Sequence, residues 1–521
     1  MDESAFTEAA RSGNVARLHD ETAERHADDL ALEMRGTELT HAELRDRSAR
    51  FAGGLADLGA GVGDRVLLYL PNCPEYVVAA LGTLKAGAVA SPMNPQYKAR
   101  EIGHQLADTG ASVVVTHAAL REHLTEALRE SDLEPAVVTA GPADDLPEED
   151  AAFADVDGEP VTVDRESDDV ALQPYTSGTT GEPKGVLLTH RNLRAQAFSG
   201  FELVDVDPGE DRSLAVLPLY HITGFVHSTW QTLIRGGAVY LRNPAEWDAE
   251  DAMRTIEEEG ITGFIGVAAM YVDLVNHEAF GDYDLSSLRE TGQGGAKMPV
   301  AVQREFESVA GVDTWEGYGL TETTAATHTG AGSTFGHKLG TIGQPLRMTD
   351  AKIVDESGEE VPPGEEGELL VRGPQVMKGY HDLPEANEAA FTEEGYFRTG
   401  DVARRDDDNY YEIIDRKKHM INTAGYNVYP SEVEELLFEH EAVADAAVVG
   451  IPDERRGETV KAFIVPAPDA DVSADEIREF CLDNLAEYKH PREVEFVDEL
   501  PRTASGKVQK FKLVEGEEDE S

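Results

Sequence analysis

The chain is poor in basic residues and in cysteine. Of its 521 residues, 45 are Lys or Arg and 101 are Asp or Glu, which gives a formal net charge of −56. Nucleic acids and anionic membrane surfaces are bound by basic surfaces, so the sequence argues against both as partners. Cys73 and Cys481 stand far apart, and neither a disulfide framework nor a cysteine-rich metal site is indicated.

Long apolar runs are also missing. The longest apolar stretch, residues 77–93, is broken by Lys85 and by glycines, and no segment reaches the ~20 apolar residues of a membrane span. The N-terminal MDESAFTEAARSGNV is acidic and has no apolar core, which is unlike a secretory signal. We therefore expect a cytoplasmic protein without stable membrane insertion.

Lysine is scarce, with 14 residues against 31 arginines, and the acidic excess runs through the whole chain. Hydrophobic residues make up 40% of the sequence, which is enough for a folded core. Acid excess with few lysines resembles the cytoplasmic proteins of salt-accumulating halophiles, where salt at about 1 M screens self-repulsion to a range of about 3 Å. The alternative is an ordinary acidic protein.

Short apolar runs alternate with amphipathic segments through much of the chain. Residues 62–116 and 170–330 follow this rhythm, which predicts parallel sheets covered by helices. LAVLPL (214–219) is one of the predicted strands, and the acidic, Pro-containing segment 142–169 is predicted as an exposed loop. Residues 340–415 carry short runs separated by Gly and Pro, which indicates a small β unit.

The C-terminal part has its own pattern of elements. It predicts a compact α+β unit that ends in an acidic, disordered tail at 515–521. Its predicted elements are helices at 431–440 and 474–485 and strands at 447–450 and 461–465.

One segment is rich in the residues that bind phosphate. Between Tyr175 and Gly185 the sequence TSGTTGEPKG holds three Gly, three Thr, one Ser and Lys184. Glycine allows successive backbone N–H groups to converge, hydroxyls add donors and lysine adds a cation. The segment is therefore predicted to be a polyphosphate cradle.

Three other Gly-rich signatures do not fit. A nucleoside-triphosphatase loop needs Gly-Lys followed by Ser or Thr, and here Pro183 precedes the lysine. The stretches beginning at Gly292 and Gly317 both miss the last glycine of a dinucleotide fingerprint. A hydrolase elbow needs glycine two residues before its serine, where Tyr175 stands.

The cradle matches the signature of the acyl-adenylate-forming (AMP-binding) superfamily nearly residue for residue. Further blocks that resemble the family occur in its order along the whole chain: PLYH (218–221), GGA (294–296), GYGLTE (317–322), YFRTGD (396–401), DRKK (415–418), GYNVYPSE (425–432) and PRTASGK (501–507). The resemblance implies that the chain is an acyl-CoA synthetase of this superfamily.

The resemblance implies a two-step reaction. A carboxylate attacks the α-phosphate of ATP and releases pyrophosphate, and coenzyme A then takes the acyl group from acyl-AMP. It also implies two domains of mixed α/β class: a large N-terminal domain at 1–415 with parallel sheets packed by helices plus a small β unit, and a small mobile α+β domain at 419–521. Residues 416–418 form the implied hinge, with Lys418 in it. A homodimer is compatible with this family.

Roles for single residues follow from the same resemblance. The implied ATP and AMP contacts are Thr176, Ser177, Gly178, Thr179, Thr180, Gly181, Lys184, Gly295, Ala296, Gly317, Tyr318, Asp401 and Arg416. Tyr318 is expected to stack on adenine, and Asp401 to accept both ribose hydroxyls. Thr321 and Glu322 are expected at the α-phosphate, where Glu322 with Thr176 would hold Mg²⁺.

Two small-domain residues are assigned to different steps. Lys507 matches the adenylation lysine, whose ammonium stabilises charge at the α-phosphate. Gly425 matches a position that lines the coenzyme A tunnel after the small domain rotates.

The acyl group is the part of the substrate that the sequence defines least. His221 resembles a gate beside the carboxylate and is a catalytic candidate, with a satisfied core histidine as the alternative. The expected acyl pocket consists of His221, Gly224, Phe225, Gly266, Tyr271, Gly292 and Gln293. No charged side chain stands out among them, so we expect a medium- or long-chain fatty acid. Aryl and short acids, an enzyme that loads a separate carrier protein, and a non-catalytic adenylate binder remain alternatives.

Overall fold

A computed structural model describes residues 3–142, 147–176, 183–201, 203, 206–424, 426–453, 455–468, 470, 472–502 and 508–518. The chain divides into two compact units. The first comprises residues 1–337, 345–350 and 372–392, and the second comprises 338–344, 351–371 and 393–521.

The first unit contains helices and strands in close alternation. Its helices are α1 Glu8–Ser12, α2 Arg17–Arg25, α3 His41–Asp57, α4 Pro74–Lys85, α5 Ala99–Thr109, α6 Arg121–Arg129, α7 His190–Phe201, α8 Ile222–Phe225, α9 Gln231–Ile234, α10 Ala249–Glu259, α11 Ala268–Asn276, α12 Val300–Ala310 and α13 Pro384–Ala390. Its strands are β1 Leu30–Met34, β2 Thr37–Thr40, β3 Arg65–Tyr69, β4 Val89–Pro92, β5 Val113–His117, β6 Ala136–Ala140, β7 Ala151–Ala152, β8 Val170–Leu172, β9 Tyr175–Thr176, β10 Lys184–Thr189, β11 Arg212–Ala215, β12 Ala238–Leu241, β13 Gly263–Gly266, β14 Glu290–Gly294, β15 Thr314–Leu320, β16 Ala325–Thr329 and β20 Gly379–Tyr380.

Two large sheets organise this unit, as the alternating pattern predicts. One runs β16–β15–β14–β13–β11–β12–β1–β2, and its strands from β15 to β1 are mutually parallel. The other runs β20–β10–β8–β4–β3–β5–β6–β7, with β9 paired to β10, and is parallel from β8 to β7. In parallel sheets the carboxyl ends of the strands share one edge, which is where loops form binding sites. The sheets therefore gather the predicted motifs that follow β11, β14 and β15.

The second unit is built on two smaller sheets. Strands β18 Asp350–Val354, β19 Glu366–Arg372, β21 Phe397–Arg405 and β22 Tyr411–Arg416 form the predicted small β unit. The α+β part contains β23 Ile421–Thr423, β24 Tyr426–Val428, α14 Pro430–Leu437, β25 Val443–Asp453, β26 Gly457–Pro466, α15 Ala474–Asn484, β27 Glu493–Phe496 and α16 Lys510–Glu518. A two-residue strand, β17 Gln344–Pro345, lies where the units meet in sequence. The α/β class and the smaller C-terminal unit are confirmed.

Local chemistry explains where several elements begin and end. Ser473 caps α15 in a reciprocal capping box with Glu476, and the helix therefore starts at Ala474, as predicted. The strand expected over 214–219 is wrong, because β11 ends at Ala215. Pro218 has no N–H for the ladder, and its carbonyl instead accepts the first hydrogen bond of the turn into α8, from His221 N.

The acidic segment at 142–169 is less exposed than predicted. Val156 is buried, and the backbone N–H groups of Gly158 and Val161 donate to carbonyls of α3. A Cβ on Gly53 of α3 would lie 2.2 Å from the carbonyl oxygen of Glu159, so glycine is required for this approach. In the part of the chain that is described, no helix is long and apolar enough to cross a bilayer.

Candidate active site

The stems of the predicted phosphate cradle lie side by side in the first unit. Strands β9 and β10 are antiparallel, with Thr176 opposite Lys184. Both side chains are half-buried. The cradle residues Ser177, Gly178, Thr179, Thr180 and Gly181 lie outside the described residues. The described stems therefore bring a hydroxyl and an ammonium to the base of the loop.

Helix α5 holds both stems. The Tyr175 hydroxyl donates to the Asp108 carboxylate and accepts from Gln173 Nε2 at 3.1 Å. Burial and the neighbouring Asp108 raise the pKa of Tyr175, so the phenol stays protonated. At the other stem, His104 Nε2 donates to the Pro183 carbonyl at 3.1 Å. One rigid helix thus fixes where the loop leaves and re-enters the sheet.

Glu322 is positioned by a segment that lies far away in sequence. It sits in a 3₁₀ turn, Thr321–Thr323, directly after β15. Its backbone carbonyl accepts from Met377 N at 2.7 Å, and its Oε1 accepts from the Tyr380 hydroxyl at 2.9 Å. Tyr380 therefore hydrogen-bonds one oxygen of the Glu322 carboxylate and fixes the direction of the other oxygen.

The same tyrosine contacts the lysine of the cradle. Lys184 Nζ lies 5.1 Å from the centroid of the Tyr380 ring, within the range of a cation–π interaction. Strand β20 carries this residue and pairs with β10, with Tyr380 opposite Val186. Sequence reasoning missed Tyr380. Its neighbour Gly379 has φ of +147°, and a Cβ there would lie 2.9 Å from Asn387 Oδ1, but neither property is visible in the sequence.

The predicted adenine-binding residues lie at the carboxyl ends of two adjacent parallel strands. Gly294 of β14 is opposite Gly317 of β15, and Gly295 and Ala296 follow as exposed residues. Tyr318 contacts the buried His328 ring edge to face at 5.9 Å, and burial lowers the pKa of that imidazole to about 3. A held aromatic ring next to exposed small residues can accept a flat base.

His221 borders an apolar pocket. It is half-buried beside Tyr220, with ring centroids 4.6 Å apart, and Phe225 follows on α8. The remaining lining residues are Leu68, Tyr76, Ala80, Ala90, Pro92, Leu172, Pro174, Leu219 and Ile222. Gly224 serves packing here, because its Cβ would lie 2.3 Å from the Pro218 carbonyl oxygen.

The other predicted acyl residues lie along β13, β14 and α11. Tyr271 is fully buried, and its hydroxyl donates to the Gly292 carbonyl at 2.8 Å, so it anchors β14. A Cβ on Gly266 would be 3.3 Å from that tyrosine. Gln293 is buried, and its amide atoms have no hydrogen-bond partner among the described residues.

The predicted ribose and hinge residues belong to the second unit. Asp401 is 3% exposed and lies opposite Arg416 in the β21–β22 ladder, with Arg416 Nε 2.9 Å from its Oδ1. Burial and Arg416 lower the pKa of Lys418 to about 8, and Asp401 opposes them. Asp415 Oδ2 accepts from Ser431 N at 3.0 Å, which ties the end of β22 to the start of α14. Gly425 and Lys507 lie outside the described residues.

Comparison with known proteins shows the family of the chain. The AMP-binding enzyme profile matches residues 19–381, and the profile of the AMP-binding enzyme C-terminal domain matches residues 432–507. A long-chain-fatty-acid–CoA ligase of Bacillus subtilis is 36% identical over 95% of this chain and 93% of its own. A feruloyl-CoA synthase of an Amycolatopsis species is 40% identical, over 91% of this chain and 93% of its own.

A solved structure of known ligand state has the same fold. The ATP-bound crystal structure of MatB from Rhodopseudomonas palustris is 30% identical, with a TM-score of 0.87 over 97% of this chain and 99% of that one. The chain therefore belongs to the AMP-binding enzyme family, as an acyl-CoA ligase that activates a carboxylic acid through acyl-AMP and transfers it to coenzyme A.

Proposed function

We propose that the chain ligates a medium- or long-chain fatty acid to coenzyme A. The observation that carries this proposal is the pocket beside His221, whose lining is aliphatic and aromatic apart from His221 and the two tyrosines. Apolar substrate surface that enters such a pocket is stabilised by about 25 cal/mol for each Å² removed from water. The long-chain ligase relative supports this substrate class. An aryl acid is the second candidate, because the feruloyl-CoA synthase relative is 40% identical over 91% of this chain.

A panel of carboxylic acids tests the substrate class. With ATP and Mg²⁺ in high KCl, medium- and long-chain fatty acids should give the fastest AMP release, and this release should depend on coenzyme A. Cinnamate and benzoate derivatives form the aryl arm, and acetate forms the short-acid arm. Faster turnover of an aryl acid than of every fatty acid would reassign the substrate. AMP release that needs a separate carrier protein would reassign the acceptor.

Magnesium is the metal that suits the residues at the phosphate end. Thr176 supplies a hydroxyl and Glu322 a single carboxylate, and Mg²⁺ accepts such sparse protein ligands because it keeps waters and phosphate oxygens. When bound, the ion neutralises charge on the triphosphate. Tyr380 aims the Glu322 carboxylate, and Lys184 adds a cation for the leaving phosphates.

Tyr380→Phe tests this assignment. The change keeps the ring beside Lys184 and removes the hydroxyl that orients Glu322, so we expect ATP–pyrophosphate exchange to fall about 10-fold. A hydrogen bond to a charged group is worth about 1.5–3 kcal/mol, which sets the scale. The Mg²⁺ concentration for half-maximal rate should rise. Tyr283→Phe is the matched control, because Tyr283 donates to Glu250 at the same 2.9 Å on the surface. Equal kinetics in both variants would remove Tyr380 from the site.

The second unit contains residues that would position ATP and a hinge that would let the enzyme change from acyl-AMP formation to thioester formation. We propose that Asp401, pre-aligned by Arg416, accepts the ribose hydroxyls, and that Lys507 serves adenylation and Gly425 thioester formation. The proposed hinge is 416–418, between domains at 1–415 and 419–521. Asp415, which precedes Lys418, contacts both His419 and Ser431, which follow it, and this supports a defined pivot there.

Single-turnover assays of each half-reaction test the division of labour between Lys507 and Gly425. Lys507→Ala should slow acyl-AMP formation by about 100-fold or more, the scale of a lost charge-stabilising donor. The same variant should use supplied acyl-AMP at a near normal rate. Gly425→Leu should do the reverse, because its side chain would block the thiol. Equal loss of both steps in both variants would rule out alternation of the small domain.

A further inference from the structure

A second cavity lies at the edge of the first sheet opposite to the phosphate motifs. It is formed by the amino ends of β11, β13 and β14 and by the end of α9. Unlike the pocket at His221, most of its lining side chains are polar or charged: Asp211, Arg212, Ser213, His227, Gln231, Thr232, Arg235, Thr262 and Glu290.

One helical segment connects the surroundings of the two cavities. Helix α8, a π-helical turn at Val226–Trp230 and α9 follow one another without a break from Ile222 to Ile234. Its first residues, with Phe225, line the apolar pocket, and its later residues, with His227, line the polar cavity. π-turns inside helices occur frequently at functional sites.

The face of the sheet beneath this segment carries two glycines, Gly263 and Gly292. Gly263 and Ile265 of β13 project to the same face and lie opposite Glu290 and Gly292 of β14. A Cβ on Gly263 would meet no atom within 4 Å. From Glu290 to Gly294 the strand advances by four residue steps, or about 13 Å. This face therefore offers an acyl group a course from the adenylate end of β14 to the polar cavity.

The polar cavity has an unused donor. Arg235 is 2% exposed, its Nε lies 2.6 Å from Asp211 Oδ2, and its Nη2 donates to the Val206 carbonyl at 2.7 Å. Its Nη1 has no hydrogen-bond partner in the described part of the chain. A buried donor without a partner costs free energy, so a ligand that accepts from it is favoured.

The charged groups of the cavity indicate which kind of ligand group it can bind. Arg235 and Asp211 form an ion pair, so the charges of these two side chains offset each other. Burial raises the pKa of Glu290 to about 7. The nearby Arg235 lowers this pKa and Asp211 raises it, and the carboxyl group therefore exchanges a proton near neutral pH. A hydroxyl suits such a set, because it can donate to a carboxylate and accept from a guanidinium.

We propose that this cavity recognises a hydroxyl group at the end of the acyl substrate that is remote from its carboxylate. The inference rests on the proposed function, because it takes the substrate to be a carboxylic acid. It adds that the part of the acyl group remote from the carboxylate lies along β13 and β14. The hydroxyl can belong to an ω-hydroxy fatty acid or to a phenolic acid. Glu290 and Arg235 are then specificity-determining residues.

Matched acid pairs test the proposal. Each pair differs only in the hydroxyl: decanoate with 10-hydroxydecanoate, hexadecanoate with 16-hydroxyhexadecanoate, and cinnamate with 4-hydroxycinnamate. We expect kcat/KM for ATP–pyrophosphate exchange to be at least 10-fold higher for the hydroxylated acid in one pair. The pair that shows the preference identifies the source of the hydroxyl. Equal values within every pair would overturn the inference.

Two variants locate the preference in the cavity. Glu290→Met removes the polar group at similar length and should abolish the preference while turnover of the unhydroxylated acid is kept. Gly263→Val fills the open space on the strand and should slow the preferred acid at least 10-fold, with octanoate or shorter acids unaffected. Gly61→Ala, at a glycine outside both cavities, is the control. Thermal unfolding of each variant confirms that it folds. A preference that survives both Glu290→Met and Gly263→Val would contradict the proposal.

The result separates this inference from the proposed function. If no carboxylic acid supports pyrophosphate exchange, the proposed function fails and the inference fails with it. If fatty acids are activated without regard to a hydroxyl, only the inference fails.

Discussion

The hydrogen bond from Tyr380 to Glu322 is the contact on which the phosphate end of the site depends. It links the turn after β15 to the strand pair β20–β10, and the same tyrosine ring lies beside Lys184. Three segments that are far apart in sequence thus meet at one side chain. Without it, the hydrogen bond from Met377 N to the Glu322 backbone carbonyl would remain, but that bond does not orient the carboxylate, and the lysine would lose its aromatic neighbour.

Positioning of this kind is what the chemistry requires. Transfer at the α-phosphate needs no protein nucleophile, so the rate depends on fixed geometry and on charges placed before the reaction begins. Helix α5 contributes by binding both stems of the phosphate loop through His104 and Asp108. In the second unit Arg416 does the same for Asp401, whose carboxylate is paired before any ribose arrives.

Much of the fold and the phosphate end of the site could be predicted from sequence, because their signals are local. The alternation of short apolar runs with helical segments predicts the parallel sheets, and the Gly-Thr-Lys loop predicts its own chemistry. Tyr380 could not be found in this way, since its importance arises from pairing with a strand almost 200 residues earlier. The early end of β11 follows from Pro218, a local signal that the apolar run concealed.

The acyl-binding end of the site is the part that local sequence patterns predict least well. Tyr271 reads as a pocket residue in sequence, yet it is a core residue whose hydroxyl anchors β14. The polar cavity is invisible in sequence because Asp211, Arg235 and Glu290 lie on three separate elements. Only the packing of α9 against the amino ends of the strands brings them together.

The most direct test of the account separates the two half-reactions in Glu322→Gln. If Glu322 acts on the triphosphate through the ion it holds, the variant should lose acyl-AMP formation from acid and ATP by about 100-fold or more. It should still convert supplied acyl-AMP and coenzyme A to the thioester at nearly the normal rate, because no triphosphate is present in that step. An equal loss in both steps would contradict the account, and so would unchanged acyl-AMP formation.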